Sequence, residues 1–167
     1  KGEVFRRHAR TRPSHPRTGV RHQGCFAQDL GDCSPDISRE HFVSSALLDA
    51  IGGGGLVRAD GLPWLNGGAR ALAVDSFTAK ILCVRHNSAL SPLDNTSAYL
   101  FRLLYSIHPA RVASQGALPD SCIGIINGHD LERWCAKVLI GLCYSGNVHP
   151  GGESMKGERP NMALLEF

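Results

Sequence analysis

The sequence predicts an α+β domain that zinc braces and that ends in helices, within a chain of 167 residues. Three observations lead to this fold class. Residues 37–43 and 77–83 have the partly alternating apolar pattern of short β-strands. Residues 131–144 place apolar side chains at helical spacing. Potential zinc ligands flank the two predicted strands: Cys25, Cys33, Cys83 and His86.

The predicted zinc site has two halves. Cys83 and His86 form a Cys-x-x-His pair, whose spacing in a tight turn places both ligands on one ion. Cys25 and Cys33 supply two thiolates from an earlier loop, although seven residues separate them. Together these side chains make the ligand set of a closed, tetrahedral structural Zn²⁺ site. The alternative is that they are unrelated buried cysteines and a surface histidine.

An acidic residue and a histidine, Glu40 and His41, lie in the first predicted strand, and Asn87 directly follows the zinc knuckle. In this arrangement residues 25–95 resemble the HNH nuclease module. That module is a ββα-metal finger, in which two strands and a helix surround a catalytic divalent metal. The resemblance implies a zinc-braced ββα-metal core that is followed by C-terminal helices.

The resemblance also implies a role for each matching residue. His41 corresponds to the general base that activates water, and Glu40 corresponds to the acidic metal ligand beside it. Asn87 corresponds to the metal-binding residue after the knuckle, and the catalytic metal would be Mg²⁺ or Mn²⁺. Five residues before the first cysteine of the knuckle the family often has an asparagine that orients the base. This chain has Thr78 in that place.

The leading predicted function is therefore a metal-dependent endonuclease that hydrolyses phosphodiester bonds in DNA. A histidine can take a proton from water near neutral pH, because its ordinary pKa is about 6.5. A divalent cation held by Glu40 and Asn87 would stabilise the leaving oxygen. Arg39 and Arg85 would neutralise neighbouring phosphates.

Two other classes of function remain open. One is a zinc-stabilised module that binds nucleic acid or protein but is catalytically inactive, and the departure at Thr78 favours it. The other is a structural interaction domain that docks through its last helix. Exposed side chains at Trp134 and Leu142 would favour that third class.

Positive charge is concentrated at the start of the chain. Residues 1–22 hold seven Lys or Arg and one Glu, which gives +6 against +3 for the whole chain, so the remainder carries −3. A basic arm suits phosphate binding, but a solvated basic tail has the same composition. The sequence has neither a run of 18 apolar residues nor an apolar segment after the basic start. We therefore expect a cytoplasmic protein without a membrane partner.

The chain divides into four predicted segments. They are a disordered basic arm (1–24), the HNH-like module (25–95), a helical extension packed on the module (96–147) and a loop-like tail (148–167). In the module we predict a short helix over 42–51 and short strand pieces at 56–57, 63–65 and 72–74. The helix of the finger begins at Asn87 and is interrupted by Pro92, which has no backbone N–H.

In the extension we predict a helix over 97–107, which ends before Pro109. A strand at 123–126 precedes the last helix, 131–144, which Asp130 caps. The apolar run of that helix contains two predicted core cysteines, Cys135 and Cys143.

Overall fold

The computed structural model describes residues 18–52, 55–62, 65, 68–113, 124–149 and 152–166. Within them the chain has an α+β fold of helices and two small antiparallel sheets. The strands are β1 (Ile37–His41), β2 (Leu56–Ala59), β3 (Arg70–Ala73) and β4 (Thr78–Cys83). The helices are α1 (Ser45–Gly52), α2 (Val84–Ala113), α3 (Gly128–Ser145) and α4 (Met162–Glu166), with short 3-10 helices at Gln28–Leu30 and Val74–Phe77. None of the described helices combines the length and the apolar character that a membrane span requires.

The central sheet is an antiparallel pair of β1 and β4. Ile37 lies opposite Cys83, His41 lies opposite Thr78, and the register shifts between Ser38 and Glu40. Helix α2 begins at Val84, directly after β4, so that two strands and a helix follow one another in space. The predicted strands at 37–43 and 77–83 are confirmed.

A second, smaller unit lies in sequence between β1 and β4. It consists of α1 and the antiparallel pair of β2 and β3, in which Leu56 lies opposite Ala73. The predicted short helix is confirmed, and so are the strand pieces at 56–57 and 72–73. The predicted strand is wrong at Val74 and at Leu65, which lie in 3-10 turns, and residues 63–64 lie outside the described residues. The backbone N–H of Phe42 donates to the carbonyl of Phe77 at 3.1 Å, so the unit leaves and rejoins the central sheet at neighbouring positions.

Aromatic rings join the elements into one core. The rings of Phe42 and Phe77 have their centroids 6.0 Å apart, and those of Phe26 and Tyr144 meet edge to face at the same separation. Tyr144 belongs to α3 and Phe26 to the loop before β1, so the last long helix packs on the start of the described chain. The buried cluster also contains aliphatic side chains from α1, β2 and β4: Leu48, Val57, Ile81 and Leu82.

Helix α2 corrects the prediction that Pro92 interrupts it. The helix runs unbroken through Pro92 and through Pro109, and the separate helix predicted over 97–107 is part of it. A proline leaves the carbonyl four residues earlier without its usual donor, and here that carbonyl belongs to Ser88. The hydroxyl of Ser91 donates to it at 3.0 Å, which offsets part of the cost. The part of α2 after Pro109 is a further correction, because we predicted that the helix ends before that proline.

Helix α3 begins earlier than predicted and has a different cap. The side-chain oxygen of Asn127 accepts a 3.1 Å hydrogen bond from the backbone N–H of His129, so Asn127 is the N-cap and Asp130 is not. Asp130 lies in the first turn, where its carboxylate accepts from the Asn127 amide. The predicted strand at 123–126 is wrong for residues 124–126, which lie in a loop, and residue 123 lies outside the described residues.

The buried face of α3 is not the one that its apolar residues predict. The buried residues, Trp134, Lys137, Gly141 and Tyr144, recur at helical spacing. Cys135 is exposed and Cys143 is only partly buried, so the prediction that both are core residues is wrong. The apolar pattern predicts the wrong face of α3 because Lys137 and Gly141, which are not apolar markers, occupy two of its buried positions.

Candidate metal centre and the adjoining cavity

The first two predicted zinc ligands lie in a loop that folds back on itself. The backbone N–H of Gly19 donates to Gly31, and that of Cys33 donates to Val20, both at 3.0 Å. The 3-10 helix Gln28–Leu30 turns the chain between Cys25 and Cys33. This turn is how the seven intervening residues bring the two thiols together. Residues 18–24, the described part of the predicted arm, belong to this loop, and residues 1–17 lie outside the described residues.

The other two predicted ligands lie at the junction of β4 and α2. Cys83 is the last residue of the strand, and His86 lies in the first turn of the helix that follows without a gap. The backbone N–H of His86 donates to the sulfur of Cys83 at 3.4 Å. Strand and helix therefore fix the relative position of these two side chains.

All four predicted ligands meet in one buried group. Nδ1 of His86 lies 3.3 Å from Sγ of Cys25, 3.3 Å from Sγ of Cys83 and 3.8 Å from Sγ of Cys33. A tetrahedral zinc ion with ordinary bond lengths separates its nitrogen and sulfur ligands by about 3.5 Å. Among the described residues, this Cys₃His group is the one set of His, Cys, Asp or Glu side chains whose ligand atoms lie close enough together to share a metal ion. It can hold a metal such as zinc.

Burial makes the Cys25 and Cys33 thiols reluctant to ionise alone, whereas at Cys83 burial is outweighed by hydrogen bonds with His86 and Ser34, which lower the pKa of that thiol. For Cys25, burial together with a smaller effect of the neighbouring Cys83 and Cys33 sulfurs raises the pKa to about 12, against backbone hydrogen bonds that lower it. Burial also raises the pKa of Cys33. A bound cation would reverse this preference, because a metal ligates the thiolate.

The predicted catalytic residues lie around a neighbouring cavity of about 420 Å³. Glu40 and His41 come from the end of β1, and Asn87 comes from the first turns of α2, directly after the candidate metal ligand His86. The structure thus brings the three residues to one place. The remaining lining residues are Ser44, Ser45, Ala46, Ser91, Asp94 and Asn95.

Three buried polar atoms in this cavity have no hydrogen-bond partner among the described protein atoms. They are Nε2 of His41, Oγ of Ser44 and Oδ1 of Asp94. The nearest acidic oxygen to His41 Nε2, on Asp75, is 3.9 Å away and thus too far for a hydrogen bond. Buried polar groups in folded proteins nearly always have partners, so these atoms could bind water or a polar ligand in the cavity.

A buried lysine lies behind the two carboxylates of the cavity. Nζ of Lys137, on α3, is 2.6 Å from Oε1 of Glu40 and 2.6 Å from Oδ2 of Asp94. Its side chain is only 5 % exposed, and it does not line the cavity. Burial raises the pKa of Glu40, while the Lys137 ammonium opposes that rise. The formal charges of the two carboxylates and the ammonium sum to −1 beside the cavity.

The other three predicted site residues, Thr78, Arg39 and Arg85, form contacts that differ from their predicted roles. Thr78 lies opposite His41 in the sheet, yet its hydroxyl donates to the carbonyl of Asp75 at 2.8 Å. A hydroxyl has one proton to donate, so this bond leaves none for His41. Arg39 is exposed and donates to Thr78 at 2.9 Å. Arg85 forms a 2.6 Å ion pair with Asp32 on the side of the Cys₃His group.

The sequence analysis did not identify Ser44, Asp94 and Lys137 as site residues. Asp94 escaped notice because the finger helix was predicted to break at Pro92, before that residue. The signal for Lys137 was available, since a lysine three residues after Trp134 and seven before Tyr144 falls on the buried stripe of α3.

Comparisons of the chain with models of protein families, with curated proteins and with solved structures give no match. The resemblance to the HNH module therefore rests on the sequence motif alone.

Proposed function

We propose that the protein is an HNH-like, metal-dependent endonuclease that hydrolyses phosphodiester bonds in DNA. His41 is the general base, Glu40 and Asn87 hold a Mg²⁺ or Mn²⁺ ion, and the Cys₃His group binds a structural Zn²⁺. The observation that carries the proposal is the cavity in which these three residues meet beside unpartnered buried polar atoms.

His41 has the surroundings that a general base needs. Its Nε2 atom is buried and has no hydrogen-bond partner among the described atoms, so a neutral ring could accept a proton there. Its side chain is 27 % exposed, which leaves a route for water. It lies next to Glu40 in sequence, so the base and a metal-binding carboxylate are fixed by the same strand.

The charge and the chemistry of the cavity fit a hard divalent cation. Its wall carries a net charge of −1 from Glu40, Asp94 and Lys137, and its other polar side chains are hydroxyls and amides. Oxygen ligands of this kind are those that Mg²⁺ and Mn²⁺ prefer. A bound cation would supply positive charge to the scissile phosphate and to its leaving oxygen.

The Cys₃His group helps to position Asn87, one of the proposed ligands of the catalytic cation. Asn87 directly follows His86, so an ion that fixes His86 also limits the positions open to Asn87. The group contributes no open coordination position, as expected of a structural zinc site with four protein ligands.

The test is nicking of a supercoiled plasmid by zinc-loaded protein in the presence of Mg²⁺ or Mn²⁺. We expect His41→Ala to lower the rate by about 10²-fold or more, because general-base catalysis contributes that much. His129→Ala is the matched control, since His129 is exposed at the start of α3. Equal rates in wild type and His41→Ala would contradict the assignment of the base.

An inactive zinc-stabilised module that binds nucleic acid or protein is the second candidate. Two observations favour it. The hydroxyl of Thr78 donates its proton to the carbonyl of Asp75 and not to His41, and one carboxylate oxygen of Glu40 is already paired with the Lys137 ammonium. Folded, zinc-loaded protein that binds DNA but nicks neither DNA nor RNA would support this candidate. The third class, docking through the last helix, finds no support at Trp134, which is only 8 % exposed and packs against Phe101.

A further inference from the structure

We propose that Asp94 is a further ligand of the divalent cation, and that Lys137 is a positioning residue that holds Asp94 and Glu40 side by side at the cavity wall. The proposal rests on the proposed function for the role of the cavity. The cation site itself is tested by binding, independently of cleavage.

Asp94 presents one carboxylate oxygen to the cavity. Its Oδ2 atom accepts from Lys137 at 2.6 Å, whereas its Oδ1 atom is buried without a partner among the described atoms. Asp94 follows Asn87 by seven residues on α2, which is about two helical turns, so both side chains lie on one face of the helix. This face lines the cavity together with Glu40.

Ser44 gives an independent indication that a ligand belongs there. It is 3 % exposed, it lines the cavity, and its Oγ atom also has no partner among the described atoms. Glu40, Asp94, Asn87 and Ser44 together offer an all-oxygen set from three segments of the chain. A purely structural ion pair would account for Lys137 but would leave Ser44 Oγ and Asp94 Oδ1 unexplained.

Lys137 makes it possible to keep two carboxylates adjacent and buried. Without its ammonium the two negative charges would repel each other and would lack compensation for lost hydration. With it, one charge is neutralised and one oxygen of each carboxylate is held in place. The remaining negative charge lies beside the cavity, where a bound cation would neutralise it.

The experiment measures binding of Mn²⁺ to zinc-loaded protein, by loss of the electron paramagnetic resonance signal of free Mn²⁺. We expect one site in wild type and an affinity at least about tenfold lower in Asp94→Asn and in Glu40→Gln. Asp130→Asn, which alters an acidic residue at the start of α3, is the matched control and should bind as wild type does. Each test variant leaves Lys137 one carboxylate, and zinc content with circular dichroism verifies the fold.

Lys137→Met tests the positioning role through a readout that a plain structural contact would not change. We expect it to unfold at a lower temperature than wild type and to gain more thermal stability from Mn²⁺ than wild type gains. The reason is that the cation then compensates two carboxylates rather than one. An equal or smaller Mn²⁺-dependent shift would overturn the role of Lys137.

The outcomes separate this proposal from the proposed function. Wild type that nicks DNA while Asp94→Asn binds Mn²⁺ normally would overturn the assignment of Asp94 and leave the endonuclease standing. Wild type that binds Mn²⁺ through Asp94 but cleaves nothing would support the cation site and overturn the endonuclease. Loss of nicking in His41→Ala with normal Mn²⁺ binding, together with weakened Mn²⁺ binding in Asp94→Asn, would support both.

Discussion

The hydroxyl of Tyr144 donates a 2.9 Å hydrogen bond to the backbone carbonyl of Gln23, 121 residues earlier in the chain. The ring of Tyr144 also meets that of Phe26 edge to face. Helix α3 is therefore attached to the loop that carries Cys25. The same helix supplies Lys137 to the cavity, so one element supports both the metal centre and the candidate catalytic site.

We expect Tyr144→Phe to lower the free energy of unfolding by about 1 kcal/mol, because a part-buried hydrogen bond of this kind contributes that much. The ring contact with Phe26 is kept in this variant. Urea unfolding of the zinc-loaded protein measures the effect. Tyr99→Phe is the control, since Tyr99 is 48 % exposed on α2. A loss equal to that of the control would show that the bond to Gln23 contributes nothing.

Removal of the metal should unfold the loop around Cys25 and Cys33. Cys83→Ser is expected to lose bound zinc and cooperative unfolding, because the described core is built directly around this group. Cys135→Ser, in contrast, should retain one zinc per chain, since Cys135 is exposed and lies outside the group. Metal analysis of the purified variants measures both. Full zinc content in Cys83→Ser would mean that Cys83 is not a ligand.

The affinity for zinc should rise with pH. Burial raises the pKa of Cys25 to about 12, so the metal-free group holds thiol protons that zinc must displace. Each displaced proton makes the apparent affinity about tenfold weaker for each pH unit of acidification. Competition with a chromogenic chelator between pH 8 and pH 6 measures the slope. An affinity that does not change over this range would show that no thiol proton is released.

Gly141 should accept a methyl group but nothing larger. A Cβ atom there would lie 3.4 Å from Cδ1 of Ile81 and 3.5 Å from Cβ of Phe42, which is ordinary van der Waals contact. We expect Gly141→Ala to stabilise the protein by about 0.5–1 kcal/mol through helix propensity. Gly141→Leu should destabilise it by about 1–3 kcal/mol through overpacking. If both variants unfold at the same urea concentration as wild type, α3 does not pack this closely on the central sheet.

Pro92→Ala should stabilise α2. Alanine restores a backbone N–H that can donate to the carbonyl of Ser88, and it removes the proline ring that a helix interior disfavours. We therefore expect the free energy of unfolding to rise by about 1–3 kcal/mol. The hydroxyl of Ser91 already offers Ser88 a donor, which places the gain toward the lower end of that range. Urea unfolding tests this, with Pro35→Ala in an exposed loop as the control. A destabilised Pro92→Ala would indicate that the proline contributes to the native helix.

The parts of the site that could be predicted are those with a local signature. Cys83, His86 and Asn87 are consecutive or nearly so, and their spacing alone places them at one turn. The paired strands that carry Glu40 and Cys83 have an alternation that sequence reasoning detects. These features do not depend on how distant segments pack.

The parts that could not be predicted depend on tertiary context. Pro92 reads as a helix break because local propensity cannot show that packing and the Ser91 hydroxyl keep the helix intact. Helical spacing indicates that Lys137 is buried, but nothing nearby in sequence identifies the carboxylates that pair with it. Its partners, Glu40 and Asp94, come from β1 and α2, and only the folded chain brings them within 2.6 Å.

The Cys₃His group also has a consequence for how the chain is made. A separation of 61 residues lies between Cys25 and His86, and β1 has no partner until β4 has been synthesised. On the growing chain the first two cysteines therefore form an incomplete metal site. The full set of four ligands is present only once β4 has been made and can pair with β1. A metal ion held by all four side chains would therefore stabilise a chain only after both strands of the central sheet have been made.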